Sequence, residues 1–140
     1  MTLPEKMTAI AITAPGGPEV LQPDQLALPR PGAGELLIRV EAAGVNRPDV
    51  MQRKGLYPPP PGASEIPGLE IAGEIVELGA GAARYRLGDR VTALVTGGGY
   101  AQYCVADERA ALPFPAGFDA VSAAALPAVV NTVAPKALAS

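Results

Sequence analysis

Three carboxyl side chains near the middle of the sequence are of the residue type that performs acid/base chemistry. Asp49, Glu65 and Glu70 flank a run of four prolines at residues 58–61. Two carboxylates held close together can transfer a proton, because their surroundings can separate their two pKa values. Their spacing alone does not decide whether the three converge or lie apart on a solvated surface.

Histidine is absent from all 140 residues, and cysteine occurs once, at Cys104. Ser/His/Asp and Cys/His catalysis both need an imidazole, and most zinc sites use one as a ligand. A single cysteine forms neither an internal disulfide nor a four-thiolate metal site. These mechanisms are therefore excluded, no metal ligands are predicted, and the alternating apolar stretch around Cys104 predicts a buried, inert thiol.

Two glycine-rich segments invite comparison with nucleotide-binding loops. Residues 79–84 begin like the dinucleotide fingerprint G-x-G-x-x-G, but Arg84 stands at the third glycine. The residues that follow lead into a strand, whereas phosphate binding needs the N-terminus of a helix at this point. We therefore interpret residues 79–84 as a turn, and Gly97, Gly98 and Gly99 as a hairpin connection.

The elements that position these residues are predicted to be mainly strands. Sixteen glycines and 16 prolines separate many short apolar runs, which is typical of an all-β barrel or sandwich. Strands are predicted at residues 7–13, 25–28, 35–43, 70–78, 91–95 and 100–106. In the third of these, one face carries Leu36, Ile38, Val40 and Ala42, and the other carries Arg39 and Glu41.

Two short helices are predicted beside the strands. Asn46 can cap a two-turn helix at residues 48–54, which Gly55 ends. Asp119 can cap an alanine-rich helix that Pro127 breaks. The proline run at residues 58–61 favours a stiff, extended loop that begins at Tyr57.

Composition limits the class of partner and the compartment. With 49% apolar and 18% charged residues, the chain can bury a core and fold. The net charge of -3, without any block of Lys and Arg, argues against a nucleic-acid partner. The opening residues lack the features of a signal peptide, and no apolar stretch reaches the ~18 residues of a membrane span. We expect a cytoplasmic protein without a membrane partner.

Residues 43–58, A-G-V-N-R-P-D-V-M-Q-R-K-G-L-Y-P, resemble the G-V-N-x-x-D-x-x-x-R-x-G-x-Y-P signature of quinone oxidoreductases in the medium-chain dehydrogenase/reductase superfamily. Further matches follow in order: P-G-L-E-I-A-G at 67–73, L-G-D-R-V at 87–91, G-G-G-Y-A-Q-Y at 97–103 and A-A-A-L-P at 123–127. The resemblance covers about residues 7–133. Residues 51–53 and 59–64 point to the zinc-free, zeta-crystallin-like branch typified by the p53-inducible NADPH quinone reductase.

The resemblance implies the fold and the domain organisation. Residues 1–133 would form a GroES-like, partly open β-barrel, the catalytic domain of these dehydrogenases. Residues 134–140 would be the tail where the linker to a Rossmann domain begins, and that domain is absent from this chain. Zinc-dependent relatives carry a cysteine where this chain has residues 44–46, and G-H-E where it has Gly68, Leu69 and Glu70. The resemblance therefore implies a metal-free mechanism.

The resemblance also implies the reaction and the residues of its site. In this family a hydride passes from the nicotinamide of NADPH to a quinone in the cleft between the barrel and the Rossmann domain. Asn46 and Tyr57 would be catalytic, and Asn46, Asp49 and Thr132 would bind the cofactor. Asn46 would hydrogen-bond near the nicotinamide ribose or amide, and Asp49 would support that turn. Tyr57 would stack on the quinone and bond its carbonyl, and Thr132 would lie behind the nicotinamide.

Structural roles are the alternatives for these four residues: a helix cap for Asn46, a surface cap for Asp49, an exposed loop aromatic for Tyr57 and a helix polar group for Thr132. Two functions follow. The first is the substrate-side domain of an NAD(P)H-dependent quinone oxidoreductase, inactive by itself and a homo-oligomer at full length. The second is a stand-alone GroES-like barrel that acts as a binding or oligomerisation module, with Tyr57 and the proline loop as its contact surface.

Overall fold

The computed structural model describes residues 2–125 of the chain. These residues form seven strands and two short α-helices. They are, in chain order, β1 (Lys6–Ile12), β2 (Leu21–Ala27), β3 (Glu35–Ala43), α1 (Arg47–Arg53), β4 (Glu70–Leu78), β5 (Arg90–Leu94), β6 (Tyr103–Asp107), β7 (Ala111–Pro113) and α2 (Ala120–Ala124). Single 3-10 turns, Pro18–Val20 and Glu108–Ala110, precede β2 and β7. The predicted mainly β fold with short helices is confirmed.

The strands form two sheets that are joined at one edge. β1 and β2 make an antiparallel ribbon, and the other five strands make an antiparallel sheet in the order β6-β3-β4-β5-β7. Ala9 in β1 pairs with Ala101, just before β6. The N–H of Ile10 donates to the carbonyl of Tyr100 at 2.8 Å, and the N–H of Gln102 donates to the carbonyl of Thr8 at 3.1 Å. The ribbon thereby continues the sheet beyond β6, in agreement with a partly open barrel.

Strand β3 is buried on both faces in its first half. Leu36 and Ile38 are fully buried in the main core, together with residues of β4, β5 and β6. The alternation in the sequence predicted this face correctly. It did not predict that Leu37, on the opposite face, is also fully buried, because the β1–β2 ribbon packs there and forms a second core around Met7 and Ala9.

Two predicted strands begin three or four residues away from their predicted starts, and a third strand was not predicted. β2 begins at Leu21, earlier than predicted, and it contains Pro23. A proline is tolerated in this strand because, among the described residues, β2 pairs only with β1 and has a free edge. β6 begins at Tyr103, because residues 100–102 before it form a short antiparallel bridge with β1. β7 was not predicted, since three residues are too few to show alternation.

The connection from β5 to β6 is not the hairpin that the three glycines predicted. β6 pairs with β3, so it is separated from β5 by β3 and β4 in the sheet. The connecting residues pack instead against residues 64–68, where the N–H of Gly98 donates to the carbonyl of Ile66 at 2.7 Å. Gly97 and Gly98 have φ angles of 151° and 91°, which non-glycine residues rarely adopt.

The end of the described chain packs on the sheet. Asp119 caps α2 as predicted, because its carboxylate accepts the N–H of Ser122 at 2.7 Å. Ala123 and Ala124 of this helix are buried against Ala72 of β4. None of the helices in residues 2–125 is long and apolar enough to cross a membrane. The predictions for Pro127, for Thr132 and for the domain boundary after residue 133 lie outside the described residues.

Candidate functional site

The family-like segment begins where β3 ends and α1 starts. Asn46 has extended backbone angles, φ -127° and ψ 162°, and occupies the N-cap of α1 as predicted. Pro48 lies in the first turn, where a missing N–H costs nothing. The carboxylate of Asp49 accepts the backbone N–H of Asn46 at 2.9 Å through Oδ2. Asp49 is therefore more than a surface cap: it is only 4% exposed and fixes the backbone of Asn46.

The side chain of Asn46 is held by a second carboxylate. Its Nδ2 donates to Oε1 of Glu70 at 2.7 Å, and Glu70, the first residue of β4, is 4% exposed. The carboxamide is thus anchored to the sheet, while the backbone N–H is anchored within α1. Two of the three central carboxylates converge on Asn46. Glu65 does not, because its side chain is exposed and only its carbonyl contacts α1, by accepting Nε2 of Gln52 at 3.0 Å.

Tyr100 is a site residue that the sequence did not reveal. Its hydroxyl donates to Oδ2 of Asp49 at 2.7 Å. Burial raises the pKa of Tyr100 far above its ordinary value, and the hydrogen bond to Asp49 and that residue's negative charge add to the shift. Tyr100 therefore remains a hydrogen-bond donor at any physiological pH. The signal in the sequence was its place after three glycines in the matched segment 97–103, but nothing there pointed to Asp49.

Two glycines set the position of Tyr100. The N–H of Gly99 donates to the carbonyl of Gly68 at 3.1 Å, and the N–H of Tyr100 donates to the carbonyl of Pro67 at 2.9 Å. Gly68 has a φ of 110°, and a Cβ on it would lie 2.7 Å from the Cα of Gly99 and 2.7 Å from Cδ1 of Tyr100. Only glycine fits at residue 68, because the two segments cross in direct backbone contact.

The Asp49 carboxylate is unevenly bonded. Oδ2 accepts from both Asn46 and Tyr100, whereas the buried Oδ1 has no hydrogen-bond partner among the described residues. Leaving a buried acceptor unsatisfied costs about 1–3 kcal/mol. Among the described residues, the orientation of the Asp49 carboxylate therefore depends on two donors to Oδ2, the backbone N–H of Asn46 and the hydroxyl of Tyr100.

Tyr57 lies apart from this network. It follows α1 at the start of the proline loop, is 41% exposed, and its hydroxyl forms no hydrogen bond within residues 2–125. Two other apolar residues close to the site in sequence, Val45 and Leu56, are also exposed, at 76% and 65%. The structure thus brings Asn46 and Asp49 together with Glu70 and Tyr100, but does not bond Tyr57 to them. Thr132 lies outside the described residues.

Backbone N–H groups in the turn at residues 79–84 are hydrogen-bonded to a side chain elsewhere in this chain. The backbone N–H groups of Ala83 and Arg84 donate to Oε1 of Glu108, at 3.1 Å and 2.9 Å. The donors that a phosphate would need are therefore taken by a carboxylate of the same chain. The interpretation of this segment as a turn, and not as a dinucleotide fingerprint, is confirmed.

Cys104 is buried, and the acidic residues of the described part of the chain do not gather into a metal-binding group. Cys104 is 3% exposed, and burial raises the pKa of its thiol to about 12. The predicted burial of the thiol is confirmed, and the raised pKa disfavours a thiolate near neutral pH. Across residues 2–125, no three or more Cys, Asp and Glu side chains form a group that could hold a metal ion.

Comparison with known proteins finds one matching domain family and similar sequences among quinone oxidoreductases. The sequence profile of the alcohol dehydrogenase GroES-like domain matches residues 32–116. The chain is 38% identical over 122 residues to the chloroplastic quinone-oxidoreductase homolog of Spinacia oleracea, which covers 84% of this chain and 37% of that protein. The chain therefore spans little more than a third of that relative's length.

Two solved structures have the same fold. The quinone oxidoreductase of Coxiella burnetii superposes with a TM-score of 0.82 at 26% identity, over 95% of this chain and 44% of that one. The human synaptic vesicle membrane protein VAT-1 homolog-like protein superposes with a TM-score of 0.80 at 31% identity, over 93% of this chain and 44% of that one. The fold of the described residues is thus shared with less than half of each of these longer proteins.

Proposed function

The chain belongs to the alcohol dehydrogenase GroES-like domain family, and we propose that it is the substrate-side domain of an NAD(P)H-dependent quinone oxidoreductase. When bound, the reduced nicotinamide supplies a hydride, and the quinone takes up this hydride and one proton to become a hydroquinone. The full-length protein in this proposal is a cytoplasmic homo-oligomer. The similarity to quinone oxidoreductases from several sources supports this assignment.

One observation carries the proposal: two buried carboxylates hold Asn46. Asp49 accepts its backbone N–H, and Glu70 accepts a hydrogen bond from its side-chain Nδ2. Asn46 stands at the signature position of the family-like segment, next to the exposed Val45. Hydride transfer between two flat rings needs few titrating groups, and its barrier falls mainly when the rings are held in contact. Well-oriented intramolecular reactions gain roughly 7–11 kcal/mol in this way. A rigidly held amide beside the nicotinamide suits that task.

Tyr57 has the exposure and the free hydroxyl that a quinone contact requires. Its ring is 41% exposed beside the proline loop, so a planar substrate can stack on it. Because the hydroxyl has no partner within residues 2–125, it can donate to a quinone carbonyl as negative charge develops there. We propose that Tyr57 binds the quinone, and that Thr132 contacts the nicotinamide from the other side.

In this proposal the described residues contact the nicotinamide end of the cofactor and not its phosphates. The glycine-rich dinucleotide-binding motif holds phosphates with unpaired backbone N–H groups at the N-terminus of a helix. The glycine-rich turn at residues 79–84 donates its N–H groups to Glu108. We propose that the phosphates bind in the Rossmann domain that the family resemblance implies.

Transfer without a metal is part of this proposal. The chain has no histidine, and its one cysteine is buried on β6. A quinone is electrophilic enough to accept a hydride without a Lewis acid. The side chain of Glu70 bonds to Asn46, which gives this acidic residue a role other than ligating a metal.

The test is to follow the oxidation of NADPH by the full-length gene product in the presence of several quinones. We expect turnover, and we expect Asn46→Ala to lower kcat/KM at least tenfold. Gln52→Ala is the matched control, because it removes another amide hydrogen bond of the same helix, at its exposed surface. A protein that neither binds NADPH nor reduces any quinone would favour the stand-alone binding or oligomerisation module.

A further inference from the structure

We propose that Tyr100 is a positioning residue that sets the geometry of Asn46 by acting through Asp49. The inference rests on the proposed function, in which Asn46 contacts the nicotinamide. Tyr100 touches neither cofactor nor substrate in this scheme. Its effect passes through one carboxylate oxygen.

The geometry that carries the inference is a three-residue chain of hydrogen bonds. Oδ2 of Asp49 accepts the hydroxyl of Tyr100 at 2.7 Å and the backbone N–H of Asn46 at 2.9 Å. Among the described residues, Tyr100 provides the one side-chain donor to this carboxylate. Because the buried Oδ1 has no partner, nothing else in residues 2–125 resists rotation of the carboxylate by hydrogen bonding. Removing the Tyr100 hydroxyl therefore leaves the buried Asp49 carboxylate with one hydrogen-bond donor among the described residues, the backbone N–H of Asn46 that it positions.

The same fold contains a tyrosine that serves as a structural reference. The hydroxyl of Tyr85 donates to the carbonyl of Ala111 at 2.8 Å and is also partly buried. This bond joins the turn before β5 to β7 and involves no residue of the Asn46 network. Tyr85→Phe and Tyr100→Phe thus remove the same group, and only the second removes a donor to Asp49.

The kinetic experiment compares four variants of the full-length gene product in NADPH-dependent quinone reduction. We expect Tyr100→Phe to lower kcat/KM about tenfold, since small displacements of a positioning group cost large factors in rate. We expect Tyr85→Phe to stay within about twofold of the parent protein. The double variant Tyr100→Phe/Asn46→Ala should be no slower than Asn46→Ala alone, because Tyr100 acts through Asn46.

The outcomes separate this inference from the proposed function. If Asn46→Ala is impaired while Tyr100→Phe and Tyr85→Phe behave alike, Tyr100 is only structural and the inference is wrong, although the proposed function stands. Additive losses in the double variant would also overturn the inference. If Asn46→Ala is fully active, the proposed site is wrong, and the second measurement decides on Tyr100.

That measurement is amide hydrogen exchange of the peptide that contains Asn46, which needs no activity. We expect faster exchange at Asn46 in Tyr100→Phe than in the parent protein or in Tyr85→Phe, because the acceptor of this N–H is no longer held in place. Unchanged exchange in Tyr100→Phe would overturn the inference.

Discussion

The carboxylate of Glu70 fills the space beside Gly44 that any larger side chain would need. A Cβ built on Gly44 would lie 2.5 Å from Cγ of Glu70 and 2.7 Å from its Cδ. The backbone supports the same contact, since the N–H of Gly44 donates to the carbonyl of Glu70 at 2.9 Å. Glu70 cannot move away without releasing Asn46, to which it is hydrogen-bonded. Residue 44 must therefore be a glycine for Asn46 to be held as it is.

Gly44→Ala is accordingly expected to lower the free energy of unfolding by about 1–3 kcal/mol, the usual cost of overpacking a buried site. Chemical denaturation measures this loss. Gly17→Ala is the control, because its new methyl group would meet only the movable end of the exposed Glu19 side chain. We expect a change within about 0.5 kcal/mol there. Equal losses in the two variants would show that Glu70 yields easily to a methyl group.

Replacement of Tyr57 separates hydrogen bonding from stacking in the full-length gene product. Tyr57→Phe should lower kcat about three- to tenfold, because a neutral hydrogen bond contributes about 1 kcal/mol, and it should leave the free energy of unfolding nearly unchanged. Tyr57→Ala also removes the ring, so it should raise KM for the quinone. Steady-state kinetics with several quinones measure both effects. If both variants match the parent protein, Tyr57 is an ordinary loop residue.

Titration of Tyr100 should occur well above its ordinary pKa of 10.0, because burial and Asp49 both disfavour the phenolate. A pKa raised in the folded state stabilises the fold below about pH 10, and this contribution is lost as the pH rises further. The difference in phenolate absorbance between the parent protein and Tyr100→Phe isolates this residue. Asp49→Asn should lower the midpoint, because it removes the negative charge. An unchanged midpoint in Asp49→Asn would contradict the contact.

The 140-residue chain by itself should neither reduce quinones nor bind NADPH tightly. The reason is that the cofactor phosphates would be held by the Rossmann domain that the family resemblance implies. The N–H groups of Ala83 and Arg84 in the glycine-rich turn of this chain are already bonded to Glu108. Calorimetric titration with NADPH and an assay of its oxidation test this expectation, with the full-length gene product as the positive control. Turnover by the short chain would mean that the cofactor site has been misplaced.

Zinc should be absent in stoichiometric amounts from the purified chain of 140 residues. The residues here include no histidine, and the buried thiol of Cys104 has a pKa of about 12, so metal binding would first have to remove a proton from it. Elemental analysis by mass spectrometry gives the ratio of zinc to chain directly. A ratio near one zinc per chain would overturn the metal-free assignment.

The local sequence determined the two central strands, the two helix caps and several exclusions. Alternation at residues 35–43 and 70–78 predicted the two central strands with their correct bounds, because side chains on a strand point to opposite faces in turn. Asn46 and Asp119 predicted two helix caps through interactions that span only a few residues. The absence of histidine needed no structure to exclude imidazole chemistry. The family-like motifs indicated where the site lies.

Only the tertiary structure decided which residues meet at that site. Asn46 and Glu70 are 24 residues apart, and Asp49 and Tyr100 are 51 apart, so no local pattern links them. Their contacts depend on the pairing order β6-β3-β4-β5-β7 and on the close backbone crossing at Gly68. The burial of Leu37 likewise depends on where the β1–β2 ribbon packs. Such relationships arise from packing between distant segments, which local periodicity and propensity do not encode.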